Sequence, residues 1–262
     1  MTDSSPSGDE ASPPLFVRLA ADPTRWKLLQ ELALSDRTVL ELTELVNRPQ
    51  NDVSYHLGRL RNGRLVSMHR SEHDGRASYY RLDLGLCREL LATTASALHP
   101  ALSSASPTRV EADRQRRGAS SPVKVLFVCT GNSGRSPMAE ALLRQYAGPR
   151  VEVDSAGSAP RPLHPAAVRA MRKYRIDLAG RESRSLAEFT GQPLDYVITL
   201  CDRVREVCPD FPGHPVAVYW SLPNPADAGA KGIPAAFRST AADLRTRIEF
   251  LTARIFPEAK GP

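Results

Sequence analysis

The sequence predicts two domains in tandem. The first is a small α+β unit of helices closed by a β-hairpin, and the second is an α/β three-layer unit on a four-stranded parallel sheet. Three observations predict this. Apolar residues recur at helical spacing through the N-terminal part and give way to a hairpin signal. Residues 100–121, rich in Ser, Ala, Pro and charge, lack any period and read as a linker. After them, apolar runs of strand length alternate with amphipathic helices, the pattern of a parallel sheet covered by helices. A chain of 262 residues is long enough for two separate cores.

Residues 1–13 are polar, acidic and Pro-rich, and read as a disordered tail. The first domain spans 14–99. LFVRLA and TRWKLLQELAL are helices, broken and restarted at Asp22-Pro23-Thr24. VLELTELV is a third helix and NDVSYHLGRLRNG a fourth, with Gly63 suited to its C-terminal cap. LVSMHR and ASYYRL are strands of a hairpin with Asp74-Gly75 at its turn, and DLGLCRELLATTASAL closes the domain as a helix. Three helices, a hairpin and a flanking helix make a winged helix-turn-helix.

Charge in this domain is local. Residues 1–121 carry 16 Lys+Arg against 15 Asp+Glu, yet Arg48 to Arg81 holds seven Arg and three acids, with His56, His69 and His73 besides. The fourth helix offers Gln50, Asn51, Ser54, Tyr55 and Arg59, whose amide, hydroxyl and guanidinium groups suit base edges and phosphates. Arg70 and Arg76 on the wing suit backbone or minor groove. The segments LAADPTRWKLLQEL, VSYHLGRLRNGRLV and GRASYYRL resemble the ArsR-type family of bacterial repressors. That resemblance implies operator DNA as partner and a homodimer through the outer helices, where Leu90, Leu91 and Leu98 stand. Metal-sensing members of that family often carry a cysteine pair in the third helix, which here reads VLELTEL. Cys87 alone makes a poor metal site and reads as a small buried apolar residue. No metal is expected.

The second domain spans 122–262 and carries +5. KVLFVC, VEVDSAG, DYVITL and PVAVYW are its strands. SPMAEALLRQYA, HPAAVRAMRKY and AAFRSTAADLRTRIEFLTARIF are its helices. In such a sheet the site lies at strand C-terminal ends, which is where the loop CTGNSGRS falls. Thr130, Gly131, Asn132, Ser133 and Gly134 can turn backbone N–H groups inward, and the following helix adds its positive end, with Pro137 in its first turn. Arg135 supplies a planar clamp for a tetrahedral oxyanion. The same field favours Cys129 as a thiolate nucleophile, and the Ser136 hydroxyl is placed to hydrogen-bond it.

This domain resembles the low-molecular-weight phosphotyrosine phosphatase fold. Within that fold, TLCDRVREVCPDFPG makes it more similar to thioredoxin-coupled arsenate reductase, because Cys201 and Cys208 stand where that enzyme needs two further thiols. The resemblance implies three thiol steps. Cys129 attacks arsenate, Cys201 attacks the adduct and releases arsenite, and Cys208 attacks Cys201 to leave a disulfide for thioredoxin, the electron donor; no bound cofactor is implied. Seven residues of helix span roughly 10 Å, whereas disulfide Cα atoms lie about 4.4–6.8 Å apart. Segment 201–208 is therefore expected to unwind on oxidation.

The sequence departs from the resemblance at three positions. Asn224-Pro225 stands where the family has an Asp-Pro pair whose Asp is the general acid, and an amide does not serve as that acid. Asp227 lies nearby in another register. Gly134 replaces a further cysteine of many relatives, and Arg184 falls where some reductases have an acid for a bound potassium ion. Three functions follow: a regulator joined to an arsenate reductase-like enzyme, a regulator with a catalytically weak oxyanion- or redox-sensing domain, or a low-molecular-weight protein-tyrosine phosphatase. The N-terminus lacks the apolar core of a signal peptide and no apolar stretch reaches membrane-spanning length, so a cytoplasmic location is expected.

Overall fold

The computed structural model describes residues 13–71, 76–99 and 122–256. All but the last residue of the tail at 1–13, the wing turn at Asp74-Gly75, His73 and the linker at 100–121 lie outside these. Among the described residues no helix is long and apolar enough to cross a membrane.

The N-terminal domain runs α1 (Leu15–Ala20), α2 (Pro23–Leu34), β1 (Arg37–Thr38), α3 (Val39–Val46), α4 (Gln50–Asn62), β2 (Val66–Arg70), β3 (Ser78–Leu82) and α5 (Leu84–Leu98). Its helix starts are written in the side chains. The Asp22 carboxylate accepts the Arg25 N–H at 2.9 Å, with Pro23 in the first turn of α2. Thr38 and Glu41 form a reciprocal capping box on α3. Leu28, Leu42, Val53, Leu57, Leu60 and Leu65 are fully buried and form the core. The antiparallel sheet is ordered β1-β3-β2. Gly63 does cap α4, but at φ −81°, and Arg64 makes the left-handed turn instead. Gly63 leaves room for Leu19, since a Cβ there would stand 2.2 Å from Leu19 Cδ1 and the leucine would have to shift.

The C-terminal domain runs β4 (Val123–Cys129), α6 (Arg135–Ala147), β5 (Val151–Gly157), α7 (Pro165–Arg172), β6 (Tyr196–Thr199), α8 (Asp202–Val207), β7 (Val216–Tyr219) and α9 (Gly229–Ile255). The sheet is ordered β5-β4-β6-β7 and wholly parallel. Val125 to Cys129 are consecutively buried, so side chains on both faces of β4 are covered. The last helix starts six residues earlier than its apolar pattern suggests, at Gly229, and carries Pro234 inside it. A proline near the start removes only one early backbone bond, so the helix passes through it.

The two domains pack against each other. The segment after α2 lies along the exposed edge of β7: Asp36 N–H donates to Tyr219 O at 2.8 Å, and Tyr219 N–H donates to Ser35 Oγ at 3.0 Å. Trp220 Nε1 donates to Leu34 O. Asp36 is buried and its carboxylate takes Arg247 Nη2 at 3.1 and 3.3 Å and the Ser221 N–H at 2.8 Å. Arg81 on β3 pairs with Asp243, Arg88 on α5 with Glu249, and Phe250 packs on the N-terminal core. These contacts cover the edge of β7 at its last residue, Tyr219, while Val216 at its start stays exposed.

Candidate active site

The loop between β4 and α6 is held outward by its carbonyls. Those of Cys129, Thr130, Gly131 and Ser133 accept the N–H groups of Ser158, Ala159, Arg161 and His164 at 2.8–3.3 Å. The Asn132 carbonyl takes the Ser183 hydroxyl at 2.9 Å, and that of Gly134 takes the Met138 N–H at 3.1 Å. Each trans peptide carries its N–H opposite its C=O, so a ring of outward carbonyls turns the amides toward the centre of the loop. Asn132 makes the bend at φ 45°, and its side chain pins it: Nδ2 donates to Ser136 Oγ (2.9 Å) and Ser155 Oγ (2.8 Å), and Oδ1 accepts Arg184 N–H (2.8 Å). Gly157 lets β5 lie against the loop, since a Cβ there would meet Asn132 N and Thr130 O at 2.8 Å.

Cys129 is buried at the end of β4, with Sγ 3.0 Å from Ser136 Oγ. Arg135 is buried and anchored through Nη1 to the Leu222 carbonyl at 2.6 Å, with Leu200 O at 3.4 Å. Its remaining donors stay available to a ligand. Cys129, Thr130, Gly131, Ser133, Gly134 and Arg135 line one cavity of about 710 Å³, and Cys201 and Asn224 line it too. Cys201 Sγ lies 3.4 Å from Thr130 Oγ1, which places this thiol beside the Cys129 loop. Asn132 and Ser136 stand behind this lining, as the buried frame of the loop.

Cys208 is not in this cavity. It ends α8 at the opposite side from Cys201 and opens on a cleft of about 380 Å³ at the domain seam, with Arg37, Arg205 and His214. Burial pushes its thiol up to about 11, and Asp210 adds to the shift. Cys87 is buried in the N-terminal core and raised likewise to about 11 by burial, then by Asp83, as suits a packing residue.

Asn224 caps a short 3-10 turn, its Oδ1 accepting the Ala226 N–H at 3.4 Å. Asp227, in the same turn, lines the cavity as well. Gly134 has its own reason: a Cβ would stand 2.9 Å from Phe237 Cε1, so the Phe237 ring fills that space and stacks on His164 at 4.6 Å. Arg184 pairs with Asp154 at 2.7 Å and lies over the Phe189 ring. Arg161, His164, Arg203 and Phe237 also line the cavity and were not marked by any motif, since they come from separate loops and from α9.

In the N-terminal domain, Gln50, Asn51, Ser54, Tyr55 and Arg59 are all exposed on α4, and Arg70 and Arg76 are exposed at the wing. Two of the histidines in the Arg cluster, His56 and His69, are placed otherwise. His56 is buried between Asp22 and Asp52, at 3.6 and 3.2 Å, and His69 faces Ser221 across the domain seam. Arg81 is likewise turned to Asp243. Leu91 and Leu98 of α5 are exposed, while Leu90 packs partly on the core.

Residues 124–258 match the family described as low molecular weight phosphotyrosine protein phosphatase, and residues 22–68 match the bacterial regulatory protein, arsR family. The chain is 38% identical over 104 residues to an arsenate reductase of Halalkalibacterium halodurans, covering 40% of this chain and 75% of the relative. It is 39% identical over 102 residues to an arsenate reductase of Bacillus cereus, covering 39% and 76%. A solved structure of an arsenate reductase in the phosphate binding state aligns at 29% identity and TM-score 0.43, over 51% of this chain and 99% of that one.

Proposed function

Because the chain belongs to the low molecular weight phosphotyrosine protein phosphatase family and carries an arsR-family segment ahead of that domain, we propose that it is a transcription regulator with built-in arsenate reduction. The observation that carries the reading is the placement of Cys201 in the oxyanion cavity, beside Thr130, while Cys208 ends the same helix at another cleft. A phosphatase needs Cys129 and Arg135 but has no use for that pair.

Arsenate sits in the loop with its oxygens on the inward amides and the free face of Arg135. The Cys129 thiolate, hydrogen-bonded by Ser136, attacks arsenic and an oxygen leaves as water after taking up protons. The Cys201 thiolate then attacks Cys129 Sγ. The S–S bond forms, the electron pair of the S–As bond stays on arsenic, and arsenite departs with arsenic reduced by two electrons. Cys208 next attacks Cys201 Sγ and releases the Cys129 thiolate, leaving a Cys201–Cys208 disulfide for thioredoxin. With water as the group expelled, protons can come from arsenate itself, so Asn224 weakens this reaction less than it weakens ester cleavage. The N-terminal domain binds operator DNA through α4 and the wing, as a dimer joined at α1 and α5.

Thioredoxin-dependent arsenate reduction by the purified chain tests the reading. Activity is expected to vanish in Cys129→Ser, Cys201→Ser and Cys208→Ser. Hydrolysis of an aryl phosphate that survives loss of Cys201 and Cys208 would place the chemistry with the phosphatases instead. The Asn224 cap favours a second reading, in which turnover is slow and oxyanion or thiol state chiefly governs DNA release. Arsenate-dependent dissociation from DNA without turnover would select it.

A further inference from the structure

α8, the six-residue helix between Cys201 and Cys208, is fastened across the domain seam. Arg205 pairs with Glu41, and its guanidinium lies 4.9 Å from the Tyr79 ring centroid and 4.4 Å from that of Tyr219. Glu41 is itself the capping-box residue of α3, so α8 is tied to the first turn of the helix-turn-helix. The Asp202 carboxylate accepts the Tyr219 hydroxyl and, at 2.7 Å, the Ser221 hydroxyl. Ser221 gives its one proton to Asp202, so His69 Nε2, which meets the same oxygen, is the donor. His69 stands on β2 of the wing, and its ring stacks on Tyr79. Two lines thus run from the DNA-binding domain into α8, one through Arg205 and one through Ser221 and Asp202.

A helix of this length cannot survive closure of its flanking thiols. Seven residues of helix span roughly 10 Å, and disulfide Cα atoms stand about 4.4–6.8 Å apart. The geometry points to Glu41 and His69 as positioning residues for the thiol pair: they hold α8 in the form that suits the dithiol, and closure of the Cys201–Cys208 disulfide withdraws that hold and loosens the seat of the winged helix-turn-helix. This rests on the reductase reading, in which the two electrons of the pair pass to arsenate and their protons to water. The burial that keeps Cys208 a thiol acts in the same sense, since the thiol becomes a nucleophile only as α8 opens. The coupling is reciprocal, so whatever steadies the N-terminal domain on its seat also opposes the disulfide.

The experiment uses the full chain with Cys129→Ser, equilibrated in reduced and oxidised glutathione, with the disulfide scored by mass spectrometry. Arg205→Gln is expected to shift the equilibrium toward the disulfide by about tenfold, or about 30 mV to more negative potential for this two-electron couple. Glu41→Gln keeps the cap and removes the charge. It is expected to shift the equilibrium by about threefold, because the ion pair is partly exposed while Arg205 also loses two ring contacts. The double variant is expected to match Arg205→Gln alone, since Glu41 acts through Arg205. His69→Gln keeps an N–H donor and stays at the parent potential, whereas His69→Leu moves toward the disulfide.

On oxidation, hydrogen exchange of segments 35–46 and 66–82 is expected to quicken by about tenfold, the size of an ordinary site-to-site coupling. Unchanged potentials, or a disulfide that forms with unchanged exchange there, overturn the coupling and leave the reductase reading standing. Failure of the disulfide to form under any glutathione ratio overturns both.

Discussion

The nucleophile loop and the shuttle helix are built on opposite plans. From Cys129 to Gly134 each carbonyl is satisfied within the C-terminal domain, the Asn132 side chain is pinned there too, and the loop joins the buried strand β4 to the buried start of α6. From Cys201 to Cys208, a short helix without a side-chain N-cap is held by residues far away in the chain, several of them in the other domain. The difference matches the work that the proposed reaction asks of each. An oxyanion cradle gains from donors that need not reorganise. A thiol relay must carry a sulfur over a distance no fixed helix can close, so its ties have to be ones that can be released.

The most severe way to break the comparison is Cys129→Ala. It removes the nucleophile and leaves the cradle, so arsenate reduction is expected to fall by at least about 10⁴-fold, while oxyanion binding by calorimetry stays near the parent. Loss of binding together with activity would mean that the loop is not preformed.

Next is Asp36→Asn at the seam. The substitution leaves buried Arg247 without its main partner, and removing one member of such a pair costs about 3 kcal/mol. Urea unfolding, followed by tryptophan fluorescence and by circular dichroism, is expected to show the parent unfolding as one unit. The variant is expected to separate into two transitions. A variant indistinguishable from the parent would show that the domains are not held by this contact.

How far the sequence revealed each region follows the same division. β4, its loop and α6 were legible because strand, turn glycines, Cys129 and Arg135 lie within one continuous run, where period and spacing carry the signal. The helices of the first domain were legible through their apolar spacing and the break at Asp22-Pro23-Thr24, whereas the Thr38–Glu41 capping box emerges only in the structure. The seam was not. Ser35 and Asp36 meet Tyr219, Ser221 and Arg247 across 184 to 211 residues, and in sequence they look like ordinary polar surface. In sequence His69 groups with the basic residues of the wing, because nothing local distinguishes a histidine facing DNA from one facing Ser221. Phe237 and Arg161 reach the cavity from elements whose packing no local pattern specifies.

A third test sharpens the contrast between the two thiol environments. Burial, reinforced by Asp210, raises the folded Cys208 thiol from 9.0 to about 11. At pH 8 its thiolate is then about a hundredfold rarer than in the unfolded chain, by two units of pKa. Alkylation of Cys208 in the reduced chain is expected to be slower by that factor and to climb about tenfold per pH unit until about 11. The buried thiol's contribution to stability is fully present below pH 9.0 and is lost as pH rises from there through about 11. Rapid alkylation at neutral pH would mean that α8 is already open in the dithiol.

The smallest expected effect concerns Asn224, which lines the same cavity as Cys129 but takes part in neither plan. Asn224→Asp restores a carboxyl at that position. As an acid it can protonate a phenolate leaving group, a service worth about 10²–10⁴-fold when fully positioned. Here the side chain at 224 is also the cap of its own turn, through the Ala226 N–H. That bond favours the ionised carboxylate and holds one oxygen away from the leaving group, so the gain in aryl phosphate hydrolysis is expected to be only about tenfold. Arsenate reduction, which expels water, is expected to change by less than about threefold under the same substitution. A parallel rise in both activities would show that proton delivery limits the thiol chemistry too, and that the side chain at 224 serves the nucleophile loop after all.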